Sequence, residues 1–145
     1  MRKTIAAIAL GALMAAAALI AQNSPAIGGY CPVAYAAMGK AVKGDPAHSS
    51  DYRGQQFLFS NADAKKMFDK GPKKFAPAYS GYCAAAVAKG MKVKSDPTLF
   101  TVHDGRTYLF STEEAKGMFD ASKAKMIPMA DKQWPAVAKK PETSM

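Results

Sequence analysis

Hydrophobic positions change their spacing several times along this chain, and each change predicts an element. From Thr4 to Ile20 no residue is charged and nearly every position is apolar, so this block has no polar face. Beyond Ser24, PVAYAAMGKAVK and AAAVAKGMKVK read as short helices that run out at Gly39 and Gly90, where glycine can take the left-handed conformation that ends a helix. Asp45-Pro46 and Asp96-Pro97 then predict turns. FTVHDGRTYLF has strand formers on both sides of Asp104-Gly105, which predicts a hairpin closed by a type I′ turn; SSDYRGQQFLF predicts another, with Gly54 in the equivalent position. After each hairpin, Ser60 stands three residues before Asp63 and Ser111 three before Glu114, the spacing of a helix N-cap and its acidic partner. Met67-Phe68 and Met118-Phe119 on those helices are expected to pack on the hairpins. A last helix is predicted in MADKQWPAVAKK with Trp134 as its anchor, and PETSM reads as a frayed tail.

The order of elements occurs twice because the sequence does. Gly-Tyr-Cys at 29–31 recurs at 81–83, an offset of 52, and the match continues at an offset of 51. Between residues 39–69 and 90–120, fourteen of thirty-one aligned pairs are identical, among them Leu58-Phe59-Ser60 with Leu109-Phe110-Ser111 and Met67-Phe68-Asp69 with Met118-Phe119-Asp120. Two such copies, about 29–79 and 81–130, are expected to share a local fold. Each is too small to bury its apolar face alone. The expected fold class is therefore α+β: two similar helix–β-hairpin–helix units packed as one pseudo-twofold domain.

Charge gives the apolar N-terminal block a role. Arg2 and Lys3 precede it and Ser24-Pro25-Ala26 follows it, the layout of a secretory leader with cleavage after Ala26; cleavage after Ala21 would put the bulky Leu19 at a selective position. Residues 1–26 are thus expected to be a signal peptide and 27–145 the mature chain, exported and in all expectation periplasmic, with retention of the block as a membrane anchor the lesser alternative. The full chain carries +9 and residues 27–145 carry +7. The lysines are scattered, however, so the surplus reads as a solvated basic surface capable of weak contact with an anionic surface, and nucleic acid is not expected as a partner.

An exported chain with two cysteines makes the thiols the main chemical question. Cys31 and Cys83 occupy equivalent positions, each just before a predicted helix whose first-turn amides make a cysteine a better nucleophile or metal ligand. Three readings stay open. The pair could form a structural disulfide, could bind a soft metal ion with Met38, Met91 or His48 as further donors, or could carry out reversible redox chemistry. Thiolate, thioether and imidazole suit monovalent copper better than a hard cation. His48 and His103 do not align with each other, and His48, in the polar loop GDPAHSS, is the better candidate donor. No HExxH, CxxCH, GxSxG, dinucleotide or phosphate loop occurs, and no acid pair can be assigned to acid–base work, so an enzyme is not expected.

The repeated Gly-Tyr-Cys, the Pro-Val-Ala-Tyr after Cys31, the passages FLFSNADAKKMF and YLFSTEEAKGMF, and the ending ADKQWP together resemble the YHS domain family. The resemblance spans residues 29 to 136 and implies two divergent copies of a small α+β domain associated with heavy-metal handling, especially of copper. It implies as partners a metal ion or a metal-handling protein. Ser60, Ala64, Ser111 and Ala115 stand where the family has its later cysteines, and Ala34 where its start motif has one. The usual thiol cluster does not carry over, so a site would have to use Cys31 and Cys83.

Overall fold

The computed structural model describes residues 24–143; the expected leader up to Asn23 lies outside them. Each repeat opens on a left-handed corner at Ala26–Gly29 or Ala78–Gly81, with Ile27, Gly28, Tyr79 and Ser80 all at positive φ. The first repeat continues with α1 (Pro32–Met38), β1 (Asp45–Tyr52), β2 (Gln55–Phe59), α2 (Ala62–Lys70) and the short α3 (Pro72–Phe75). The second has α4 (Ala84–Ala88), β3 (Asp96–His103), β4 (Arg106–Phe110), α5 (Glu113–Ala121) and α6 (Lys123–Val137). The fold is α+β, with two antiparallel hairpins, β1–β2 and β3–β4, each flanked by helices.

Local chemistry explains the turns. Arg53-Gly54 and Asp104-Gly105 have positive φ at both central residues, as a type I′ turn requires. The Asp-Pro pairs are not free turns but the start of each first strand. Asp45 Oδ1 accepts from the Ala47 amide at 2.9 Å and Asp96 Oδ1 from the Thr98 amide at 2.9 Å. The register then jumps from Asp45 to Ser49 and from Asp96 to Phe100, because a proline has no N–H to give a ladder.

Three local expectations are corrected. Helices α2 and α5 are capped by Asn61 and Thr112, whose side chains accept from the Ala64 and Ala115 amides at 2.8 and 3.0 Å, so Ser60 and Ser111 are left for other partners. Phe68 and Phe119 are buried, but Met67 and Met118 stay 44% and 43% exposed. Neighbours on a helix point about 100° apart, so only one of each pair can face its hairpin. The tail is docked as far as Thr143, which donates its amide to the Lys92 carbonyl, while Glu142 accepts from the Tyr82 hydroxyl.

Each repeat closes its own core. Phe57, Phe59 and Phe68 pack around Cys31, Val33 and Ala34 in the first. Tyr108, Phe110 and Phe119 pack around Cys83 and α4 in the second, where α6 adds Met126, Ala130 and Val137 and Trp134 rests against the cluster. The repeats meet along a seam in which α1 packs on β3 and β4, α3 on β4 and the first corner on β3. Tyr35 crosses it, its ring 4.9 Å from Phe100 and its hydroxyl donating to the Pro97 carbonyl at 2.7 Å. Gln55 reaches the Ser80 carbonyl at 3.2 Å. Ala26 is buried in the first core, and Pro25-Ala26 matches Pro77-Ala78, so both belong to the repeat; cleavage after Ala26 would remove a core methyl.

Equivalent acids fasten each helix to its hairpin. Asp69 accepts from Ser50 and Lys65, both at 2.6 Å, and Asp120 accepts from Thr101 and Lys116, both at 2.7 Å. The bonds from Lys65 and Ser50 hold the Asp69 carboxyl below its ordinary 3.8. Burial pushes Asp120 the other way, but Lys116 and Thr101 outweigh it and it too is lowered. A carboxyl depressed on folding stabilises the fold above its unfolded value, and the contribution is lost as pH falls through the folded value. The variant D69N/D120N is therefore expected to be less stable than the parent at pH 7, by a margin that shrinks as pH falls below the ordinary aspartate range. Urea unfolding across that range checks this; a gap that stays constant with pH would assign the effect to neutral hydrogen bonding.

Candidate functional site

Both cysteines are the residues at which a helix begins, Cys31 before α1 and Cys83 before α4. Their amides donate to the Val42 and Val93 carbonyls at 2.7 and 2.9 Å, which pulls each helix start against the chain leading into the hairpin. That position sends both thiols inward. They are free and buried, in different cores. The hydroxyl of Ser60 lies 3.8 Å from Cys31 Sγ and that of Ser111 3.5 Å from Cys83 Sγ, so each thiol meets the serine of its own repeat.

The surroundings of the thiols differ. Cys83 lines a cleft of about 280 Å³ together with Met91 and Met118, while Lys89, Ser111 and Glu114 complete its polar wall. Met91 and Met118 are 42% and 43% exposed, whereas Cys83 is closed off from solvent. One thiol and two thioethers thus line a single depression. In the first repeat Met67 matches Met118, but Lys40 stands in the place of Met91 and Met38 in that of Lys89, so the second thioether is placed differently there.

The structure therefore brings Cys83 and Met91 to one cleft, with Met118 as a partner that sequence reasoning assigned to the core. Cys31, Met38 and His48 do not line it. Met38, at the end of α1, is 60% exposed, and His48 sits half-buried in the register break of β1. His103 Nε2 lies 3.3 Å from the neighbouring Asp104 carboxylate. Among the described residues no three His, Cys, Asp or Glu side chains gather as a metal-ligand group; the cleft is lined by one thiol and two thioethers, with Glu114 at its wall. The set suits a soft monovalent ion such as copper(I) and offers little to zinc, which asks for four nitrogen, thiolate or carboxylate ligands, or to a hard oxygen-seeking cation.

Among the described residues no helix is long and apolar enough to cross a membrane. Comparison with family models, with curated proteins and with solved structures returns no match for this chain. What the fold defines is an α+β protein of two similar units, with a cleft lined by Cys83, Met91 and Met118.

Proposed function

We propose that this is an exported protein that binds a soft metal ion, copper(I) as cargo, without turnover. The observation that carries the reading is the convergence of Cys83, Met91 and Met118 on one cleft. Cys83 would supply the charged donor as a thiolate, and the two methionines would supply neutral soft donors at the solvent side. The leader-like N-terminal block supports export. Because Ala26 belongs to the first core, the mature chain is expected to start upstream of Pro25, with Ala21 the available small residue at a cut.

Anaerobic copper(I) competition against a chromophoric chelator tests the site. The reduced parent is expected to take up one ion. C83S should weaken binding by about a hundredfold or more, as loss of the thiolate donor requires, and M91L and M118L by roughly tenfold each. C31S, with its fold verified by circular dichroism, should bind like the parent. Undiminished binding by C83S would overturn the reading, and a C31S loss equal to that of C83S would move the site to the cysteine pair. Intact mass of the exported protein checks location: a chain retaining residues 1–20 would overturn the leader assignment.

A further inference from the structure

A second cleft, of about 330 Å³, lies where the repeats meet. Its character is the opposite of the sulfur-lined one. Tyr52 and Arg53 enter from β1 and its turn, Lys73 from α3, Tyr79 from the second left-handed corner, Arg106 from β4 and Trp134 from α6. Three cations and three aromatic rings therefore line one depression, and among the described residues no carboxylate does.

Arg106 is held in place before any ligand arrives. Its guanidinium lies 5.1 Å from the Tyr79 ring centroid and 5.3 Å from that of Tyr108, and its Nη1 donates to Asp131 at 2.9 Å. Its hydrogen bonds among the described residues all leave through Nη1, so Nε and Nη2 keep their donors for something else. Arg53 and Lys73 have no salt-bridge partner among the described residues, and Arg53 lies over Tyr52 at 5.2 Å.

The backbone at this cleft is also strained at one position more than its counterpart, where only Ile27 is a non-glycine residue at positive φ. Tyr79 and Ser80 hold φ of 56° and 53°, a conformation that costs a non-glycine residue about 1–3 kcal/mol. At the matching corner the second of these positions is Gly28, which takes it without penalty. The strained corner presents Tyr79 to the cleft, with its hydroxyl tied to Asp131 at 2.8 Å. The residues matching Arg53, Tyr79 and Arg106 in the other repeat are Asp104, Ile27 and Gln55, so the repeat pattern alone does not account for the constellation.

The geometry points to a binding site for a small organic anion with a flat, unsaturated body. Its carboxylate is recognised by Arg53, Lys73 and the free edge of Arg106, and its body lies beside Tyr52 and Trp134. Charge-assisted hydrogen bonds supply orientation, and the aromatic walls supply burial. This site stands whether or not the sulfur-lined cleft takes copper.

Trp134 is the chain's one tryptophan, so its emission reports this cleft directly. Benzoate serves as the anionic probe and benzamide as its neutral isostere. Benzoate is expected to change the emission saturably, with a Kd on the order of 1 mM for so small a ligand, and benzamide to bind at least roughly fivefold more weakly. R53Q/K73Q should weaken benzoate by a similar factor while leaving the urea midpoint unchanged. Raising the salt should also weaken benzoate. Equal affinity for the two probes, benzoate binding that the double variant does not weaken, or no saturable response to benzoate would overturn the proposal.

Discussion

Phe68→Ala in the first repeat is expected to move the unfolding transition that Trp134 reports from the second. Phe68 is 1% exposed and lies 5.2, 5.0 and 5.9 Å from the rings of Phe57, Phe59 and Tyr52, so truncating it leaves a cavity worth about 3–5 kcal/mol. Trp134 lies in the other core, 5.8 Å from Tyr79 and 6.3 Å from Tyr82. It can sense that loss only across the seam. A unit of about fifty residues buries too little surface to fold securely alone, and Tyr35, Gln55 and the two corners join the units, so one cooperative transition is expected. Far-UV circular dichroism and Trp134 fluorescence should give the same lowered urea midpoint. An unmoved Trp134 transition, with two steps in circular dichroism, would mean that the repeats unfold as separate bodies.

Gly81→Ala strikes the seam itself. Gly81 has φ +84°, and a Cβ there would stand 2.6 Å from Ile27 Cγ2 of the first repeat and 3.5 Å from Pro77 Cγ. Left-handed strain and forced displacement act together, and the expected cost is about 2–4 kcal/mol. Gly105→Ala separates the two contributions. It has φ +73° with nothing within 4 Å of the added carbon, so it should cost only about 1–2 kcal/mol. Chemical denaturation of both variants decides between these readings: equal losses would show that Ile27 moves aside freely and that the seam is not tightly packed there.

What could be read from the sequence was whatever local chemistry enforces. Arg53-Gly54 and Asp104-Gly105 between strand formers specify hairpins, and the duplicated string specifies two similar units. The capping pattern points one residue too early because Ser60 and Asn61, like Ser111 and Thr112, are both good capping residues, and only tertiary packing gives the serines their thiol neighbours. The number of aromatic residues does not say on which side of the seam each will close, and the structure gathers them in two buried clusters. Helix α6 begins at Lys123, earlier than expected, and carries Pro128 and Pro135 inside it; packing of Met126, Ala130 and Val137 on the second core overrides the propensity against proline.

The candidate sites were legible to different degrees. Equivalent cysteines before equivalent helices could be read directly. The cleft around one of them could not, because Met118 beside Phe119 reads as core filling until the helix phase is known. The left-handed corner at Tyr79-Ser80 was hidden by side chains that disfavour it. Its signal was the alignment of PAYSGYC with PAIGGYC, in which Gly28 marks the conformation that Ser80 adopts without glycine's freedom.

The seam crossed by Tyr35 has a consequence for how such a protein can change over generations. A homodimer of one repeat would carry every interface residue twice, so each new side chain would have to suit both sides of the symmetry axis. Joined in one chain, the halves are released from that requirement. Tyr35 reaches across to Pro97, whereas its counterpart Val87 is buried in its own core. Lys40 and Met91 have parted in the same way, as have Asp104 and Arg53. Each substitution is written once, and one ancestral pattern can hold two unlike surfaces.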